Sequence, residues 1–274
     1  MSSQRRTPPS PPPRARARRV ASPARGSRYH HGELRRALID AALDLTRRQG
    51  PGTFTFADLC RCVGVSAAAP YRHFESLDQI IAEAALEGFT RLDERTQASF
   101  QGADWRARLA SCLADYLDFV RMNPGHAVMM FETRAQTVAE PSFNPLVPLE
   151  LPPPRNATEA TVSNCWRAGM ASFERFAQGL AMALADSPLA PAVATPPRAL
   201  ETALALFTIM QGIASQWLSR TLPDAWLDDG ARQAFERIVL PWALGVAQQV
   251  SADEVALQRQ RQGQRGERRR AGRA

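Results

Sequence analysis

Apolar residues recur at helical spacing along most of this chain of 274 residues, and no stretch alternates with the period of two that is typical of a strand. Between Leu34 and Leu45 they fall at positions i, i+4, i+7, i+8 and i+11, which predicts one helix with a single buried stripe. The same spacing predicts later helices at about 76–100, 104–122, 126–138, 158–186, 198–220 and 228–250. With two further short helices before residue 76, the pattern predicts an all-α fold of about nine helices.

Residues 55–74 have the layout of a helix-turn-helix. Thr55 is a suitable N-cap for a first short helix, and the Gly64-Val65-Ser66 run interrupts the pattern where glycine permits a positive φ. A second short helix is predicted at about 67–74, with Pro70 near its first turn, where the missing amide costs little. Such a helix fits the major groove of DNA, and the alanines at its start let the backbone approach the bases.

The charge of the chain is concentrated at its two ends. The net charge is +7, and all 34 basic residues are arginines. Residues 1–28 hold eight arginines and no acid, and residues 258–274 hold seven arginines and one glutamate, so these ends carry +14 and the remainder carries −7. The composition therefore excludes a protein that coats nucleic acid with a uniformly basic surface. It predicts a disordered Arg/Pro-rich arm at 1–28 and a basic disordered tail at 251–274.

Several classes of protein have no signal in this sequence. No stretch reaches the roughly 18 uninterrupted apolar residues of a membrane span, so we expect no membrane partner. Four histidines lack metal-ligand spacing, no lysine is present for a phosphate-binding loop, and no Ser, His and Asp group is recognisable. We therefore expect no catalytic residue, no metal and no cofactor. The chain has four cysteines, Cys60, Cys62, Cys112 and Cys165, which are too few for a disulfide framework in a chain of this length. This favours a location in the cytoplasm, where the protein would associate with the nucleoid through DNA binding.

The run from Tyr29-His30-His31-Gly32 through Thr55 to Pro70-Tyr71-Arg72-His73-Phe74 resembles the DNA-binding domain of the tetracycline-repressor (TetR) family. The resemblance implies such a domain at 29–92, and a ligand-responsive transcriptional regulator that is most often a repressor. It also implies that Phe74 packs inside the domain. By the same resemblance the residues that contact DNA are Thr55, Ser66, Ala67, Ala68, Tyr71, Arg72 and His73. Many family members have a lysine where Leu77 stands, so the corresponding phosphate contact needs a substitute here.

Residues 104–250 resemble the family's helical domain for ligand binding and dimerisation in length and layout. The resemblance implies a homodimer that binds a palindromic operator in double-stranded DNA. The last two helices would form its interface through Phe207, Met210, Ala214, Trp217, Phe235, Val239, Trp242 and Val246. An unknown small-molecule effector, hydrophobic or aromatic, would enter a pocket lined by His126, Met130, Cys165, Trp166, Met170 and Phe173. The alternative for these side chains is an ordinary helical core.

Two other functions stay open at this point. One is a nonspecific nucleic-acid-binding protein that is driven by the arginine-rich ends, because arginine binds phosphate without reading sequence. The other is a helical enzyme with no recognisable motif. Removal of the ends separates the first of these from an operator-binding regulator, since only nonspecific binding depends on them.

Overall fold

The computed structural model describes residues 31–50, 54–96, 99–131 and 150–223, together with Gln233. In these ranges the chain forms seven α-helices, two short 3-10 helices and no strand, which confirms the predicted all-α class. The α-helices are α1 (His31–Gln49), α2 (Phe56–Val63), α3 (Leu77–Thr96), α4 (Trp105–Met122), α5 (Pro124–Phe131), α6 (Ala157–Leu184) and α7 (Pro196–Leu218). The 3-10 helices are Pro70–Arg72 and Ala190–Val193. Apart from Gln233, the predicted helix at 228–250 lies outside the described residues, as do the arm at 1–28 and the tail at 251–274.

The first three α-helices enclose a small core. The stripe predicted on α1 is buried at Leu34, Leu38, Ala42 and Leu45, and it packs against Leu59 of α2 and Ile80 of α3. Burial of this stripe supplies most of the stability that short helices lack in isolation. The three helices therefore form a base on which the segment between α2 and α3 rests.

A second and larger core lies between α4, α6 and α7. Its fully buried side chains include Leu113, Phe119, Leu180 and Ala203. The helix α3 contributes to both cores, with Ile80 near its start in the first and Leu92 near its end in the second. A displacement of α3 would therefore disturb both groups of buried residues.

The predicted helix at 67–74 is wrong in type and length. Residues 67–69 form a turn, and the helical part is the single 3-10 turn Pro70–Arg72. Just before this turn, the Ala69 amide donates to the Ser66 carbonyl three positions earlier, at 3.0 Å. Pro70 has no amide hydrogen for an α-helical bond to that carbonyl, and its ring crowds the same position. The chain therefore takes the tighter 3-10 path here.

The helix predicted at 76–100 ends earlier, at Thr96. Phe100 has a φ of +63°, which an α-helix cannot accommodate. None of the helices in the described part of the chain is long and apolar enough to cross a membrane.

Candidate nucleic-acid interface and cavity

A capping box fixes the start of α2. The Thr55 hydroxyl oxygen accepts from the Asp58 amide at 3.3 Å, and Asp58 Oδ2 accepts from the Thr55 amide at 2.9 Å. The Thr55 hydroxyl donates its hydrogen to the same carboxylate at 2.7 Å, and Arg61 donates to Asp58 Oδ1 at 2.8 Å. These bonds from Thr55 and then Arg61 hold the pKa of Asp58 below its usual value. A phosphate contact by Thr55 would require its hydrogen to leave Asp58.

A left-handed glycine ends α2 and sets the direction of the chain that follows. Gly64 has a φ of +78° and a ψ of +34°, a conformation that a side chain would strain. Its amide donates to the Cys60 carbonyl at 2.8 Å, and the Val65 amide donates to the same carbonyl at 3.1 Å. The Cys60 thiol in turn donates to the Ser66 carbonyl at 3.5 Å. The turn is therefore held from both sides of the glycine.

We call residues 66–74 the recognition turn. Its inner side chains are Pro70, which is buried, and Phe74, which is 2% exposed in the first core. Its outer side chains include Tyr71, which is 62% exposed, and Arg72. The remaining candidates for DNA contact, apart from the half-buried His73, are also exposed: Ser66, Ala67 and Ala68. Most of the residues predicted to contact DNA are therefore exposed, including Thr55, which precedes the turn. The Tyr71 ring packs against the Phe56 ring, with 4.9 Å between the centroids.

Arg72 differs from the other arginines near this surface. Arg35 pairs with Glu83, Arg36 with Asp40 and Glu87, Arg47 and Arg48 with Asp44, and Arg61 with Asp58. Over residues 31–50 and 54–76, Arg72 is the arginine for which the described residues provide no ion pair. Its guanidinium is therefore available to an external anion or base without first breaking a contact.

The first turn of α6 contacts the two residues that directly follow the recognition turn. The Glu75 carboxylate accepts from the Thr158 amide at 3.1 Å, and the Ser76 hydroxyl lies 2.9 Å from the Thr158 hydroxyl. A carboxylate at a helix N-terminus is favoured by the helix dipole as well as by the hydrogen bond. Sequence reasoning missed this junction because its residues are more than 80 positions apart and no local pattern marks them.

A cavity of about 550 Å³ lies between α3, α4, α5, α6 and α7. Five of the six predicted pocket residues line it: Met130, Cys165, Trp166, Met170 and Phe173. The sixth, His126, is absent from the lining in the described part of the chain. Its buried Nε2 atom lies 3.7 Å from Glu87 and has no hydrogen-bond partner there. Burial, followed by the nearby Arg91, lowers the pKa of His126 below its usual value.

The predicted dimer contacts on α7 face inward. Phe207 and Met210 line the cavity, and Ala214 is buried in the larger core. The half-buried Trp217 packs against the same core. Met210 and Ala214 are therefore core residues of the described chain, whereas Phe207 and Trp217 pack on that core and keep part of their surface exposed. The remaining predicted contacts, on the last helix, lie outside the described residues: Phe235, Val239, Trp242 and Val246.

The part of the chain that includes the recognition turn is similar to known proteins. Residues 38–84 match the family described as bacterial regulatory proteins, tetR family. The chain is 27% identical over 95 residues to an uncharacterized HTH-type transcriptional regulator, YobS, from Bacillus subtilis (strain 168). That match covers 35% of this chain and 50% of the relative, so the chain spans about half the length of the curated relative that it matches.

Among solved structures, the chain is similar to a protein with unknown function from Rhodococcus sp. RHA1. The TM-score is 0.51 at 25% identity, and the likeness covers 77% of this chain and 98% of the other. This likeness extends well past the family match, which includes α2, the recognition turn and the start of α3.

Proposed function

We propose that this chain, whose residues 38–84 match the tetR family of bacterial regulatory proteins, is a transcriptional regulator that binds double-stranded DNA. The recognition turn is the observation that carries the proposal. It buries Pro70 and Phe74 and turns Tyr71 and Arg72 outward. We propose further that the protein is a repressor, which binds a palindromic operator as a homodimer and releases it when a small molecule occupies the cavity.

The chemistry of the recognition turn supports a division of labour on DNA. The Arg72 guanidinium can donate two parallel hydrogen bonds to a guanine edge in the major groove. Ala67 and Ala68 bring no hydrogen bonds, but they admit the backbone closely and suit the methyl group of thymine. Tyr71 and His73 would contact the phosphate backbone. Few side chains are then left for direct readout, so DNA shape contributes to specificity.

A homodimer would read two half-sites of a palindrome, spaced by about one helical turn of DNA. The outward face of α7 supports this part of the proposal, since Ala205, Thr208 and Gly212 are exposed at helical spacing. A Cβ atom added at Gly212 would meet open space. The proposed dimer contact on α7 is therefore this outward face, opposite the inward Phe207 and Met210.

Ligand response would pass along α6. Trp166 lines the cavity. Thr158, eight positions earlier on the same helix, contacts Glu75. Eight residues of α-helix span about 12 Å. A ligand that displaces Trp166 would shift the first turn of α6, and with it Glu75, which directly follows the recognition turn.

The proposal is tested by selecting duplexes from a random library with the full chain and comparing the selected duplex with a random duplex at about 150 mM salt. We expect Tyr71→Ala to weaken binding to the selected duplex roughly tenfold, because it removes a phosphate contact and little packing. Tyr71→Phe keeps the ring on Phe56 and removes the hydroxyl alone, so it should weaken binding about as much if that hydroxyl makes the phosphate contact.

Removal of residues 1–28 and 258–274 separates this function from nonspecific binding. An operator-binding regulator keeps its preference for the selected duplex without these ends. If the preference never appears, or if all binding vanishes with the ends, the arginine-rich segments carry the affinity and the proposal is wrong.

Glu75→Ala tests the junction with α6. We expect hydrogen exchange at the Thr158 amide to accelerate about tenfold, since this amide loses a charge-assisted acceptor at 3.1 Å. The measurement is exchange followed by mass spectrometry or NMR at the start of α6. Glu174→Ala, an exposed change later on the same helix, should leave that amide unaffected. Equal exchange in the two variants would show that Glu75 does not hold α6.

A further inference from the structure

We propose that the cavity accepts an uncharged aromatic compound that carries a hydrogen-bond acceptor such as a carbonyl or ether oxygen. This inference rests on the proposed function, because it names the class of ligand that would release the DNA. It is carried by the shape of the lining, by its lack of charge and by its unused donors.

Aromatic rings and sulfur atoms dominate the lining. Phe131 and Phe207 have centroids 5.6 Å apart and planes tilted by 60°, and Phe173 meets Phe207 edge to face at 6.0 Å. Such rings offer both faces and edges to a flat guest. Met130 and Met170 add polarizable thioethers, which make favourable contacts with aromatic rings. The volume of about 550 Å³ lies in the usual range for a small-molecule site.

Within the described part of the chain, no charged side chain lines the cavity. Asp93, which is close to the lining residue Ser172, accepts the hydrogen of that hydroxyl at 2.7 Å and pairs with Arg175. The thiols of Cys112 and Cys165 stay neutral, because burial raises the pKa of each to about 12. A charged ligand would therefore lose its hydration without gaining a partner, which disfavours its binding.

Two polar side chains of the lining keep an N–H donor that a ligand could use. The Tyr116 hydroxyl donates to Gln211 Oε1, which orients the amide of Gln211. Neither the Nε2 group of Gln211 nor the indole N–H of Trp166 has a hydrogen-bond partner among the described residues. Both residues line the cavity. We assign the acceptor of the ligand to the Nε2 group of Gln211, whose amide is already oriented by Tyr116, whereas a plain hydrocarbon would leave both donors unused.

Two dyes that differ by one sulfonate test the charge of the ligand. N-phenyl-1-naphthylamine is neutral, and 1-anilinonaphthalene-8-sulfonate is its anionic counterpart. Both fluoresce more strongly in an apolar site. We expect the full chain to bind the neutral dye with a dissociation constant at least tenfold lower. Only the fluorescence that is lost when excess 2-ethylnaphthalene displaces the dye is counted. This excludes the signal of anionic dye that is bound to the arginine-rich ends.

A second pair of compounds tests the acceptor. 2-Acetonaphthone and 2-ethylnaphthalene are similar in size, but only the ketone carries an oxygen. We expect the ketone to displace the neutral dye about tenfold more effectively, and Gln211→Leu to remove that advantage while leaving 2-ethylnaphthalene unchanged. Gln216→Leu is the matched control, because Gln216 is exposed on the same helix and should alter neither compound.

Each outcome decides the inference. The inference is supported if the protein binds the neutral dye more tightly than the anionic dye, and if the ketone displaces the dye better than 2-ethylnaphthalene only when Gln211 is present. No displaceable binding of the neutral dye, equal affinity for the anionic dye, or a ketone advantage that survives in Gln211→Leu overturns it. Release of the selected duplex is measured separately with 2-acetonaphthone. If the ketone binds as expected and the DNA stays bound, the ligand class stands and the proposed regulation fails.

Discussion

Phe74→Ala is expected to lower the free energy of unfolding of the protein by about 3–5 kcal/mol and to abolish specific DNA binding. Phe74 is 2% exposed and lies in the first core with Leu38 and Leu59. The Arg35 guanidinium lies 5.0 Å from the centre of its ring and adds a cation–π contact. Truncation to alanine would remove the ring and leave a cavity that the surrounding helices cannot fully close.

The short recognition turn makes the protein depend on this residue. A single 3-10 turn has too few hydrogen bonds to persist alone, so its conformation relies on packing at Pro70 and Phe74. Loss of the ring would therefore disorder the surface that carries Tyr71 and Arg72 before it unfolds the larger core.

Urea denaturation of the full chain provides the measurement, with Tyr71→Ala as the matched control. Tyr71 lies three positions earlier on the same turn but is 62% exposed. Its replacement should cost less than about 1 kcal/mol, mainly through the lost contact with Phe56. If the two variants have the same stability, Phe74 does not hold the recognition turn, and the burial argument is wrong.

Features set by near neighbours were predictable from the sequence. The buried stripe of α1 follows from the spacing of Leu34, Leu38 and Leu45, and the left-handed end of α2 follows from Gly64. Local sterics also explain the error at 67–74, because Pro70 removes a bond that an α-helix needs. Pro70 suits the first turn of an α-helix, but this segment is too short to continue beyond that turn.

Features that depend on which elements meet were not predictable. The spacing of Phe207, Met210 and Ala214 correctly indicates one helix face, but periodicity does not say whether that face meets its own core or a second chain. His126 illustrates the same limit, since it lies on α5 yet faces Glu87 rather than the cavity. The contact of Glu75 with Thr158 joins distant parts of the chain and has no local signal.

Arg72→Ala is expected to reduce the preference for the selected duplex over a random duplex by roughly 5- to 150-fold, which corresponds to about 1–3 kcal/mol. Arg72 is exposed on the recognition turn and has no ion pair among the described residues. Its guanidinium therefore breaks no ion pair with the described residues when it binds a base. The neighbouring alanines offer no hydrogen bonds in its place, so one arginine carries an unusually large share of direct readout.

The salt dependence of binding distinguishes a base contact from a phosphate contact. If Arg72 reads a base, Arg72→Lys keeps the charge but loses the two-pronged geometry, and the preference should fall nearly as far as in Arg72→Ala. If Arg72 binds only phosphate, both duplexes weaken equally in Arg72→Ala, and the slope of log K against log salt falls by about 0.9. Arg61→Ala is the matched control, since Arg61 is exposed nearby but engaged with Asp58. A preference that stays unchanged in Arg72→Ala would assign specificity to DNA shape rather than to this arginine.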